Sequence, residues 1–410
     1  MTTCSSSRNR SLAPAIKQTL FYFGLMGALA LFLLQCGAGE DRLERLAGGA
    51  DSLIVLDIQS PAFQLMATRD LTYRDSLFQD EITAAVVAPG GHLYQAGRAF
   101  DRHLIYRFNP RGVVTDSLTG AGDSPFGLIT HLRITGNRLY VAADEIYTFT
   151  LTDNGPVPAQ NPAFSAPTPD SLRDEDARYA PVPITVTDRG SLFYKLQKER
   201  NPVYDLSGEV RFMLAEPNEA EPARELNRLP DVRHLVGDYA GRPAPFLLSV
   251  SERPLYSMAG NGFLVTAYST DAVIQVTRPN GHKPRAYIAD PERVPLHPDE
   301  VVFPSYLHND QLHRVRTSAT YPAHWPLLTG LLLDDEQRIW VTLFRGVDQP
   351  AEWWVIDDRS SRLLAVQPMP QSARLLHVNN SFFYTAEPND AGFEEVVRYR
   401  FRFDRNETTP

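Results

Sequence analysis

Apolar and polar positions along this chain repeat as a turn, then a large apolar residue, an aromatic and a β-branched residue. The clearest copy is Gly136-Asn137-Arg138-Leu139-Tyr140-Val141-Ala142-Ala143, which reads as a hairpin turn feeding a buried strand. Looser copies are Gly91-His92-Leu93-Tyr94, Gly190-Ser191-Leu192-Phe193-Tyr194, Asn261-Gly262-Phe263-Leu264-Val265, Gln337-Arg338-Ile339-Trp340-Val341 and Asn380-Ser381-Phe382-Phe383-Tyr384. The steps between their first large apolar residues are 46, 53, 71, 76 and 43 residues. Short steps fit one four-stranded antiparallel blade, and long steps fit a blade plus an insertion. Six copies therefore predict an all-β, six-bladed propeller over residues 50–405, with insertions near 215–244 and 290–325.

Strand-like runs fill in the blades. The first blade takes 84–88, 93–96, 103–108 and 113–118; the second takes 129–134, 139–142, 145–150 and a weak run within 156–166. The third takes 184–187, 192–196, 202–206 and 209–214; the fourth takes 246–250, 262–267, 272–276 and 284–288. The fifth takes 328–333, 339–343, 352–356 and 363–366. Only 373–377, 382–386 and 394–403 remain for the sixth, one strand short. A closed propeller cannot leave that edge bare, so an N-terminal strand, 52–57 or 63–68, is expected to complete it.

Before the blades, residues 1–19 are polar with three positive charges, and 20–34 are an apolar run ending at Gln35-Cys36-Gly37. Fifteen apolar residues make a helix of roughly 22 Å, short for a bilayer crossing and suited to a signal-peptide core. With Leu33 three positions before Cys36, this stretch resembles a bacterial lipoprotein signal, although Gln35 stands where a small residue is usual. That resemblance implies cleavage before Cys36, lipidation of Cys36, a tether over 36–49 and attachment to a membrane at the bacterial cell envelope, outside the cytoplasm. Cys4 falls in the part removed, so Cys36 is the single cysteine of the processed chain, which rules out an internal disulfide or a thiolate metal cluster.

The net charge of −9 becomes −12 once residues 1–35, with Arg8, Arg10 and Lys17 and no acid, are removed. An acidic body argues against a nucleic-acid partner, which would call for a basic stripe.

Between the first two blades, Gly120-Ala121-Gly122-Asp123-Ser124-Pro125-Phe126 reads as a tight crossover. It resembles the Gly-x-Gly-Pro-x-x-Phe crossover of bacterial six-bladed propeller lipoproteins related to the NHL repeat, with Asp123 in place of the proline.

Candidate chemistry is sparse. His297, His308 and His313 fall in the second insertion, but the five-residue step from His308 to His313 does not place them on one helical face. They are expected to be loop histidines. Acidic pairs at Asp334-Asp335-Glu336, Asp357-Asp358 and Glu394-Glu395 read as turns or strand edges, and Asp144, Glu145 and Asn261 as solvated turns. Trp340, Trp353 and Trp354 suit inter-blade packing, with Trp353 and Trp354 on opposite faces. No nucleophile elbow, dinucleotide fingerprint or Walker loop is present, so no catalytic, cofactor or metal residue is assigned.

The expectation is a lipid-anchored binding module for an envelope protein, peptide or glycan, contacted through the two insertions and needing no cofactor. One alternative is a metal-dependent hydrolase or lactonase with a divalent cation such as calcium in the central channel. The other is a structural component of an envelope complex.

Overall fold

The computed structural model describes residues 50–74, 81–99, 102–121, 124–159, 179–198, 203, 208–217, 223–279 and 284–405. Residues 1–49, with the signal segment, Cys36 and the tether, lie outside the described residues. Among the described residues no helix is long and apolar enough to cross a membrane.

Two strands precede the blades, β1 (Ser52–Val55) and β2 (Phe63–Tyr73). Blade one is β3 (Glu81–Val87), β4 (Leu93–Ala99), β5 (Arg102–Phe108) and β6 (Val114–Leu118). The crossover that follows is a small bridge of β7 (Gly120–Ala121) and β8 (Ser124–Pro125), with Phe126 buried against Tyr147 and Phe149 of the next blade. Blade two is β9 (His131–Thr135), β10 (Arg138–Ala142), β11 (Ile146–Thr152) and β12 (Gly155–Pro158). Blade three is β13 (Tyr179–Val186), β14 (Leu192–Lys198), β15 (Glu209–Ala215) and β16 (Arg224–Pro230). A separate hairpin, β17 (Leu235–Tyr239) and β18 (Arg242–Phe246), leads to blade four: β19 (Pro254–Met258), β20 (Leu264–Tyr268), β21 (Val273–Thr277) and β22 (Arg285–Ile288). Blade five is β23 (Leu328–Leu333), β24 (Arg338–Leu343), β25 (Ala351–Asp357) and β26 (Arg362–Met369). Blade six is β27 (Arg374–Val378), β28 (Phe382–Pro388) and β29 (Glu394–Arg405), completed by β2.

The six-bladed, all-β propeller of the sequence reading is the fold observed, and the missing outer strand is β2, antiparallel to β29 from Phe63–Arg405 to Tyr73–Val396. Strand β1 does something else: it adds a fifth, parallel strand to the outside of blade four, pairing Ser52 with Arg285 through Val55 with Ile288.

Two blades depart from the expected strand assignments. In blade three the outer strand is β16, inside the stretch read as an insertion from 215 to 244, while most of 202–206 falls outside the described residues. Strand β16 was hidden because Arg224-Glu225-Leu226-Asn227-Arg228-Leu229-Pro230 lacks apolar alternation. An outer edge needs none, and its charges pair instead, Arg228 with Glu225 at 3.1 Å and with Glu209 at 3.4 Å. In blade four the inner strand is β19, and the run 246–250 serves another core.

Both faces of each blade are covered by neighbours, so aromatics pack on both. Trp354 joins the cluster containing Ile274 and Tyr287 of blade four, whereas Trp353 and Trp340 join Phe383 and Phe401 of blade six. Trp353 and Trp354 do lie on opposite faces, and both are buried. A carbohydrate platform is therefore not formed by these rings.

Candidate functional site

Hydrogen bonds between blades fix the direction of the inner strands. The Arg374 guanidinium at the start of β27 donates to the Ile82 carbonyl at the start of β3. At the far ends, Leu333 N–H donates to Ser257 Oγ at 2.9 Å, and Asp188 N–H to the Gly260 carbonyl at 2.8 Å. These inner strands run the same way down a central channel, giving it a mouth where they begin and another where they end.

The channel holds a cavity of about 810 Å³ walled by β3, β9, β19, β23 and β27. Arg133 crosses its side between blades two and four. Its guanidinium donates to Asp188 Oδ1 at 3.2 Å and to the Met258 carbonyl at 3.5 Å, and Thr135 Oγ1 donates to the same Asp188 oxygen at 3.1 Å. Gly260 leaves room for this junction, because a Cβ there would overlap Arg133 and Asp188.

His131 and His377 both line the cavity, half-buried because they face it. Burial pushes His131 down to about 4, helped by the charges of Arg133 and His377. Burial likewise lowers His377 to about 4, with Asp334 opposing and Arg133 assisting. Both imidazoles are neutral near pH 7, each able to donate one hydrogen bond and accept another. The His377 ring lies 5.8 Å from that of Tyr384, whose hydroxyl burial makes less acidic than usual.

Asp334 also borders the cavity, but its carboxylate is already engaged. Oδ2 accepts from Arg338 Nε at 2.6 Å and Trp340 Nε1 at 2.9 Å, and Oδ1 from the backbone N–H of Glu336 and Arg338. It acts as a turn fastener rather than a free ligand.

The second feature is a module on the rim. The hairpin β17–β18 packs against the helix Asn309–Ser318 from the 290–325 insertion, around Leu235, Phe246, Val301, Leu307, Val315 and Trp325. Gly237 permits the approach, since a Cβ there would come within 2.8 Å of Val315 Cγ1. Gln311 Oε1 accepts from the His308 N–H at 3.1 Å, capping the helix, and Ser318 Oγ accepts from the Asp238 N–H at 2.7 Å. Trp325 rests on Phe344, just after β24 of blade five, with ring centroids 4.9 Å apart. Two segments far apart in sequence thus form one packed unit.

His297, His308 and His313 are exposed on this unit, but only His297 lies in a loop: His308 is the N-cap of the helix and His313 lies within it, because the polar stretch from Asn309 to Ser318 packs Val315 against the hairpin as a helix. Asp144 accepts from the Tyr147 hydroxyl, Asn261 from the Phe263 N–H, and Glu394 pairs with Arg374. Asp358, buried, receives Arg285 and the Tyr287 hydroxyl at 3.2 and 2.7 Å. Each is committed locally. Among the described residues, no group of three or more His, Cys, Asp or Glu is placed to hold a metal ion. Sequence reasoning did not single out His131, Arg133 or His377, because their signal is only position on an inner strand, in three separate places.

No protein-family model matches the sequence, and no curated protein matches it. Among solved structures the chain is similar to a DUF4221 family member from Bacteroides vulgatus, at 11% identity and a TM-score of 0.46, covering 84% of this chain and 100% of that one. It is also similar to the PQQ-bound aldose sugar dehydrogenase of Streptomyces coelicolor, at 12% identity and a TM-score of 0.42, covering 83% and 100%. A luciferin-regenerating enzyme aligns at 11% identity and a TM-score of 0.41, covering 82% and 95%. These likenesses carry no activity across to this chain.

Proposed function

We propose that the protein is a lipid-anchored propeller, related to the NHL-repeat propellers, at the bacterial cell envelope, and that it binds a protein or peptide partner through its rim module. The observation carrying this reading is where apolar surface is left uncovered. Leu247, Val302 and Tyr306 are 62%, 79% and 64% exposed, although the module's own core is filled by other residues. The Phe246–Phe303 ring contact at 6.3 Å draws the segments bearing them together. Exposed apolar side chains grouped on one packed unit suit a partner surface better than a solvated one. Glycan binding is the weaker version, since the tryptophans that would stack on a sugar are buried.

The test is the triple variant Leu247→Ser, Val302→Ser, Tyr306→Ser, crosslinked in intact cells beside the wild type. A defined partner adduct that disappears in the variant while its thermal midpoint is unchanged supports the reading. An identical adduct pattern would refute it. Anchoring through Cys36 is checked separately by mass spectrometry of the mature N-terminus. The expected result is a diacylglyceryl-modified Cys36 as first residue, and a free Cys36 thiol behind an intact residue 1–35 segment contradicts it.

A second reading is favoured by the channel, where His131, His377 and Tyr384 face one cavity. A metal-dependent hydrolase there would need oxygen donors to converge, and the Asp334 carboxylate is held by Arg338 and Trp340. That leaves the channel better suited to holding a polar molecule than to holding a calcium ion.

A further inference from the structure

We propose that the central channel binds a small uncharged hydroxylated molecule, a sugar or polyol, held from three sides by the imidazoles of His131 and His377 and the hydroxyl of Ser257. This rests on the channel being a site for a polar molecule and is independent of the rim module.

The blade repeat puts these groups together. In five blades the turn from the inner to the second strand is closed by the same backbone bond. Its donor is Ala88 in blade one, Thr187 in blade three, Ala259 in blade four, Asp334 in blade five and Asn379 in blade six. Thr135, paired with Arg138, holds the matching place in blade two. Two positions before these residues stand Val86, Thr185, Ser257, Leu332, His377 and Arg133, which therefore form one layer of the ring. Thr185 is buried, and the other five line the cavity. His131 precedes Arg133 by two residues on β9, so it shares that strand face one layer deeper. Blades two, four and six alternate around the ring, and His131, Ser257 and His377 thus face the cavity from three sides.

The charges of this wall are spent within the protein. Arg133 is paired with Asp188, Arg374 with Glu394, Arg398 with Asp70 and Asp334 with Arg338. What the layer leaves for a ligand is uncharged. Among the described residues neither the His131 nor the His377 imidazole makes a hydrogen bond. Each ring, neutral near pH 7, therefore presents one donor and one acceptor to the cavity. Ser257 Oγ accepts from the Leu333 N–H at 2.9 Å, which leaves its O–H to donate. Donors mixed with acceptors match hydroxyl groups, which do both, better than a carboxylate, which only accepts. Asp335, in the blade-five turn, lines the cavity with no ion-pair partner among the described residues, and its charge disfavours an anion further. Val86 and Leu332 give the layer apolar surface for a carbon skeleton. The volume of about 810 Å³ accommodates a molecule of sugar size with room for water.

Full-length protein is titrated calorimetrically with glucose, galactose, trehalose and myo-inositol, and with gluconate as the anionic comparison. At least one uncharged probe is expected to bind saturably, with gluconate at least about tenfold weaker. His377→Phe keeps a ring and removes both nitrogens, and His131→Phe does the same in blade two. Each should weaken the bound probe about tenfold with an unchanged thermal midpoint, the scale of one or two lost hydrogen bonds. Should one variant fail to fold, the other decides. The Leu247, Val302 and Tyr306 variant should bind the probe like wild type, which separates this site from the rim module. Absence of binding by every probe overturns the proposal together with the channel reading. Gluconate binding as tightly as the uncharged probes, or folded histidine variants binding like wild type, overturns the proposal alone.

Discussion

Asp334→Ala is expected to cost about 3–5 kcal/mol of folding stability, the scale of removing one partner from a buried ion pair. Asp334 is 2% exposed and Arg338 is 7% exposed, so neither charge is solvated by bulk water. The carboxylate receives Arg338 Nε, Trp340 Nε1 and two backbone N–H groups, closing the turn between β23 and β24. Without it, Arg338 keeps only Glu336, itself 40% exposed, at 2.9 Å. The guanidinium also lies over Phe401 and Phe403, at 5.3 and 5.7 Å, so its displacement would disturb the seam between blades five and six. Asp334→Asn retains the shape and part of the bonding and should cost less. Urea unfolding with an unchanged m-value measures both, and an alanine variant within about 1 kcal/mol of wild type would contradict this account.

This turn illustrates how far the sequence could be read. Leu328 to Leu333 and the Ile339-Trp340-Val341 run marked the strands on either side, because each is a short apolar run bounded by turn residues. Asp334-Asp335-Glu336 was legible as a turn for local reasons. That Asp334 is enclosed and holds an arginine depends on blade six covering it, a contact with residues some seventy positions away that no local pattern encodes. Reading failed where local pattern and tertiary role part company. The apolar run 246–250 looked like an inner strand, yet Phe246, Leu248 and Val250 fill the rim module's core. Strand β19 was overlooked because Pro254-Leu255-Tyr256-Ser257-Met258 faces a polar channel and carries a mixed pattern.

Ring closure gives the other large effect. A chain lacking residues 50–74 is expected to lose cooperative unfolding and to aggregate, because β2 is the outer strand of blade six and part of the join to blade one. Eleven residues of β2 run beside β29, and without them β29 presents an open edge long enough to pair with another chain. More than an edge is lost. Leu65 and Tyr73 are each 1% exposed, and the Tyr73 ring meets Phe108 of blade one at 5.6 Å and Tyr384 of blade six at 6.2 Å. Arg398 donates to the Tyr73 hydroxyl and to Asp70, so it would lose both partners at once. The contrast with β1 sharpens the test. That strand adds four exposed or half-exposed residues to the outside of blade four, which already has its four antiparallel strands. Removing residues 50–55 alone, which spares the buried Leu56, should therefore leave a monomer with a cooperative melt, shifted downward by only a few degrees. Size-exclusion chromatography with thermal melts compares the two truncations. A monomer lacking residues 50–74 that melts like the shorter truncation would show that blades one and six hold together without β2.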